Sequence, residues 1–140
     1  MTTVLLELAL ALGAPTLKDP EQPTTLYGEW VIEKCTAGGV EQDAKAMSVI
    51  HWVFRKDGQR TLIGPDRKEM AGGRYTADPK AGTLNLGSGG VNDDLCRYKV
   101  DGDTLTLNVG WSKAPRPADL DSPPDSRCTL YVMKRVKPKD

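Results

Sequence analysis

From Leu26 onward the chain alternates apolar and polar residues with a period close to two, the pattern of strands with one buried face. The pattern predicts strands at 28–35, 48–54, 60–63, 73–77, 83–86, 95–100, 104–109 and 128–136. In the second of these Ile50, Trp52 and Phe54 share one face, while His51 and Val53 share the other. In the seventh, Leu105, Leu107 and Val109 alternate with Thr104, Thr106 and Asn108. Asp57-Gly58 and Asp101-Gly102 fall between alternating runs, where Asp-Gly is a strong hairpin signal of the type I′ kind. Asp78-Pro79-Lys80-Ala81-Gly82 reads as a further turn. The prediction is an all-β fold, an eight-stranded antiparallel up-and-down barrel, because closure removes exposed sheet edges. An open two-sheet sandwich is the alternative.

Residues 4–14 read VLLELALALGA and are followed by Pro15. They are too few to cross a bilayer. Two readings stand: a short signal-like core with Ala11-Leu12-Gly13 as the small-residue cleavage pattern, or a terminal helix with Leu5, Leu8 and Leu12 on one face. Glu7 within the run and the lack of a preceding Lys or Arg favour the helix. The chain therefore divides into a signal-like or helical segment plus linker, 1–25, and a barrel domain, 26–137. The signal reading carries an extracytoplasmic location, periplasmic or secreted, with it; a cytoplasmic location goes with the helix.

With 140 residues there is room for one domain and one core. The 19 basic and 19 acidic side chains balance, which argues against nucleic acid or an anionic membrane as the main partner. A monomer without a membrane span is expected. The 14 glycines and 10 prolines suit short strands joined by turns. Three cysteines, Cys35, Cys96 and Cys128, allow at most one bridge and contain no C-x-x-C pair.

Several motifs occur in a shared order: Gly28-x-Trp30, Phe54-x-x-Asp57-Gly58, Tyr75-x-x-Asp78, Tyr98-x-x-Asp101-Gly102-Asp103-Thr104-Leu105, Arg116-Pro117 and Leu130-Tyr131-Val132-Met133-Lys134-Arg135. Their order resembles the lipocalin-like (calycin) domain family of unknown function that is abundant in planctomycete bacteria, over about residues 26–137. The opening Gly28-Glu29-Trp30 also resembles the G-x-W signature of lipocalins. Leu120, Asn85 and Asn108-Val109 stand where that family commonly has an aromatic residue, an aspartate and a cysteine. The resemblance implies structural roles for Gly28, Trp30 and Arg135, with Arg135 packing over Trp30 at the closed end. The family carries no established activity, so no catalytic residue is implied.

An eight-stranded barrel is either filled by side chains or holds one small ligand. Trp52, Phe54, Tyr75, Tyr98, Trp111 and Arg116 are the candidate ligand-binding residues. The loops 36–47 and 110–127 fall at one rim, and the longer of them either folds over the mouth as a lid or packs outside the barrel. Up-and-down order places all three cysteines at that rim, opposite Trp30. It favours a Cys35–Cys128 bridge in an exported protein, with Cys96–Cys128 second and three independent thiols as the alternative. His51 is the single histidine, so no Ser-His-Asp arrangement can be drawn. Ser88 sits in a flexible Gly-Ser-Gly-Gly run, unlike a nucleophile elbow. Asp119-x-Asp121 lacks the spacing of a calcium loop. No catalytic residue, metal site or cofactor is predicted. The expectation is a non-enzymatic module binding a small apolar or amphiphilic ligand. The alternative is a protein–protein or cell-surface interaction domain with a filled barrel.

Overall fold

The computed structural model describes residues 26–137 apart from Ser88 and Ser112. The expectations for the N-terminal segment and for Ser88 lie outside the described residues. Nine strands form one antiparallel sheet: β1 (Gly28–Ala37), β2 (Val40–Gln42), β3 (His51–Phe54), β4 (Gln59–Ile63), β5 (Glu69–Asp78), β6 (Thr83–Leu86), β7 (Asp94–Asp101), β8 (Thr104–Gly110) and β9 (Cys128–Arg135). β1 pairs with β9 from Trp30↔Arg135 to Ala37↔Thr129, so the sheet closes on itself. All strands but β2 belong to the closed barrel, which is eight-stranded and up-and-down as expected. No helix among the described residues is long and apolar enough to cross a membrane.

β2 is an addition inside the 36–47 loop. It forms a hairpin with the end of β1, pairing Cys35↔Gln42 and Ala37↔Val40. A single 3-10 turn, Ala44–Ala46, follows; the Asp43 side chain caps it by accepting from Lys45 N at 3.0 Å. β2 and β3 thus serve as two pieces of one partner to β1, interrupted by the segment 43–50.

The two Asp-Gly signals do mark hairpins, but not type I′ turns. Gly58 N donates to Arg55 O and Arg55 N to Gln59 O, a three-residue loop in which only Gly58 takes positive φ (85°). That is a type I turn followed by a G1 bulge. At the second, Asp101 pairs with Thr104, and Gly102 alone has positive φ (60°), as in a II′ turn.

The core fills the barrel. Trp30, Phe54, Leu84, Leu105, Leu107 and Met133 are all but inaccessible, and Ile32, Trp52, Tyr75, Leu86, Tyr98 and Tyr131 join them. Ile50, expected inside with Trp52 and Phe54, stands outside this cluster and is half-buried. Two bulges reset the alternation. In β1 the register slips between Ile32 and Lys34, so exposed Glu33 and Lys34 are followed by buried Cys35. Period two alone would have turned Lys34 inward. In β5, Arg60↔Gly73 and Leu62↔Met70 leave one extra residue, and a Cβ at Gly72 would collide with the Arg60 carbonyl oxygen.

Candidate functional site

Antiparallel order sorts the connections to two ends. Short hairpin turns at 55–58, 79–82 and 102–103 gather with the start of β1 and the end of β9 at one end. The longer connections, 64–68, 87–93 and 111–127, gather at the other with the β1–β2 hairpin.

The turn end is sealed. Trp30 is 0% exposed, and its indole N–H donates to Leu26 O at 2.9 Å. Arg135 lies over its ring, 4.2 Å from the centroid, and its Nη1 donates to Tyr27 O at 3.0 Å. Arg135 Nε also stands 3.4 Å from Asp103 Oδ1. Arg135 Nη1 would be 3.3 Å from a Cβ at Gly28, where φ is +127°. A side chain there would strain the backbone and crowd the guanidinium.

The interior beside β3 is built differently. Trp52 and Phe54 from β3 form an aromatic wall with Tyr75 and Tyr131. The ring centroids lie 5.9 Å apart for Trp52–Phe54, 5.0 Å for Phe54–Tyr75 and 5.3 Å for Trp52–Tyr131. Arg60 enters this interior from β4. It pairs with inward-facing Phe54 on one side and Gly73 on the other, and its guanidinium lies 5.3 Å from the Trp52 centroid. Its Nε is buried without a hydrogen-bond partner. Leaving such a donor unmet costs about 1–3 kcal/mol. Burial pulls the Arg60 pKa down, while Cys96, Asp94 and Tyr131 act through space the other way. The guanidinium stays charged.

The thiols and tyrosine hydroxyls of this interior keep their protons. Burial pushes the Cys96 thiol up to about 12, with Asp94 adding and Arg116 and Arg60 opposing. Burial also raises Cys35 and Tyr131. Tyr75 is pushed up to about 12 by the same cause, and its hydroxyl donates to Arg55 O at 2.5 Å. These protonated thiols are weak nucleophiles.

The expected ligand set therefore splits. Trp52, Phe54 and Tyr75 come together, joined by Tyr131 and Arg60, which the sequence reading did not single out. Tyr98 is buried nearer the turn end, its backbone N–H bonded to Gly82 O at 2.9 Å. Trp111 packs on the core at the loop end and donates from Nε1 to Thr129 Oγ1 at 2.8 Å. Arg116 is on the outer face: its Nη1 donates to Cys96 O (2.6 Å) and Leu84 O (3.2 Å), and its Nη2 to Asn85 Oδ1 (2.7 Å). Arg116 is thus no part of the interior wall.

The same bonds settle the course of the 111–127 loop, which straps the outside of β6–β8. Arg97 Nε holds Pro117 O at 2.8 Å, and fully buried Asn108 donates from Nδ2 to Asp119 O (3.0 Å) and Asp121 O (2.6 Å). Ser122 Oγ donates to Cys128 O at 2.8 Å and accepts from Gly39 N at 3.3 Å. A lid over the mouth is replaced by a strap along the wall.

The proposed disulfides do not form. All three thiols are free. Cys35 pairs across the ladder with Tyr131, not Cys128, and faces inward. Cys128 alternates with buried Thr129 and so faces outward, one position beyond the Ala37↔Thr129 pair. Cys96 and Cys128 are separated by β8 and point to opposite faces. Among the described residues no group of three or more His, Cys, Asp or Glu is arranged to hold a metal. His51 sits on the outer face with Nδ1 2.9 Å from Glu29 Oε2, out of line for a hydrogen bond. That oxygen accepts from Arg67 Nη1 at 2.7 Å.

Depressions among the described residues open outward: one of about 500 Å³ lies between the 79–82 turn, Arg97–Val100 and Leu120. Another, of about 360 Å³, lies at the rim between Ala37, Trp111 and Cys128. The class these features define is a closed, eight-stranded antiparallel β-barrel with a buried aromatic cluster. No family model, no curated protein and no solved structure matches the chain.

Proposed function

We propose that this protein is a non-enzymatic binding module that takes a small apolar or amphiphilic molecule against the aromatic wall inside the barrel. The observation that carries it is the aromatic wall of Trp52, Phe54, Tyr75 and Tyr131 inside the barrel. Aromatic walls with few polar groups suit small-molecule sites. The motif order that resembles the lipocalin-like family agrees with this reading. The proposed module is an extracytoplasmic monomer that needs no disulfide. The test is titration of the purified protein with an apolar fluorescent probe such as Nile red, with native mass spectrometry for a retained small molecule. Saturable one-to-one binding, lost on Trp52→Ala while the fold persists, is expected; a probe that never saturates would count against it.

A second reading, an interaction domain with a filled barrel, is favoured by one observation: side chains occupy the inward positions throughout. The outward depression bordered by Lys80, Arg97, Lys99 and Leu120 would then be the contact surface. Native mass spectrometry showing a stoichiometric protein partner and no small molecule would favour it.

A further inference from the structure

We infer that Arg60 and the gap beside Gly73 form a subsite for the acidic head of an amphiphilic ligand, specifically a carboxylate on an aliphatic chain. The inference rests on the binding-module reading above and adds the head-group chemistry.

Arg60 is the inward cation of the aromatic wall, and its Nε is buried with no acceptor. Gly73 faces it across the β4–β5 ladder, on the inward side with Tyr75. A Cβ built at Gly73 would meet one group within 4 Å, Arg60 Nη2 at 3.4 Å. The space a side chain would fill is therefore open next to the guanidinium fork. That fork matches the two oxygens of a carboxylate, and such charge-assisted pairs are strong. Asp94 acts on the guanidinium through space, and the Cys96 and Tyr131 protons stay in place, so the guanidinium is the cation that an incoming anion meets.

Apolar side chains follow Arg60 toward the loop end. Leu62 packs on the core and pairs with Met70, which is 43% exposed at the loop end. Met70 is a flexible side chain suited to an adjustable apolar lip. A head at Arg60 with its chain running past Leu62 and Met70 uses both features.

Three twelve-carbon probes test this: dodecanoate, dodecanol and dodecyltrimethylammonium, titrated at neutral pH by calorimetry. The wild-type protein should bind dodecanoate at least tenfold tighter than either of the others. Arg60→Met should erase that preference. Gly73→Ala, which keeps the guanidinium but fills the gap, should weaken dodecanoate several-fold and leave dodecanol unchanged. Equal binding of all three probes to wild type, or a preference that survives both variants, overturns the head-group subsite alone. No binding of any probe overturns the binding-module reading with it.

Discussion

Arg135 holds its guanidinium carbon 4.2 Å from the Trp30 ring centroid, and Arg60 holds its own 5.3 Å from that of Trp52. The two tryptophans are ladder partners, Trp30 on β1 opposite Trp52 on β3. At the turn end the partners are complete: Trp30 donates to Leu26 O, while Arg135 donates to Tyr27 O and stands beside Asp103. At the Trp52 stack the Arg60 Nε is buried and unmet. One pair is finished as structure, and the other keeps an unused donor inside the wall. Cation–π contact contributes about 0.5–1 kcal/mol to an exposed pair and more when desolvated, so the stacking alone does not separate them. The hydrogen bonds do.

The largest effect should come from the sealed end. Trp30→Ala should cost about 3–5 kcal/mol in urea denaturation, because a fully buried indole leaves a cavity that the closed sheet cannot collapse. Asn108→Asp tests the strap. It sets a carboxylate against two carbonyl oxygens where an amide donated, and should cost about 3 kcal/mol. It should also open the 111–127 loop to limited proteolysis.

The arginines themselves should then part company. Arg135→Met should destabilise by about 1–2 kcal/mol, since it strips Tyr27 O of its donor and uncovers Trp30. Arg60→Met should be neutral or stabilising by about 1 kcal/mol, since it removes an unmet buried donor. Equal losses in both variants would erase the distinction between the two stacks.

The smallest effect concerns His51. Burial lowers its pKa below the ordinary 6.5, with Glu29 opposing and Arg67 assisting. The unfolded chain therefore binds the proton more readily than the folded one. This contribution is complete above about pH 6.5 and is lost as pH falls toward the folded pKa. In His51→Gln the slope of stability against pH over that window should flatten.

Much of this architecture was legible in the chain. Trp52 and Phe54 alternating with His51 and Val53, and Leu105, Leu107 and Val109 alternating with polar residues, set the faces of β3 and β8 correctly. What escaped was anything that depends on a local break in that period. The bulge at Glu33–Lys34 turns Cys35 inward instead of Lys34, and no alternation pattern announces it. Arg60 was legible in principle. It shares parity with Leu62, and the register of the 55–58 turn sets it opposite Phe54; a cation at that parity is the signal that could have found it. The strap was not, because its course is fixed by Arg116, Arg97 and Asn108 bonding to carbonyl oxygens distant in sequence. The cysteine pairing failed for a related reason: rim position was read, but the face of each strand was not.

The most direct measurement follows the side-chain Nε–H resonances of Arg60 and Arg135 by ¹⁵N NMR while dodecanoate is added. The account predicts that the Arg60 signal moves and gains protection from solvent exchange, while the Arg135 signal stays where it is. Two silent arginines, or a response at Arg135 alone, would contradict it.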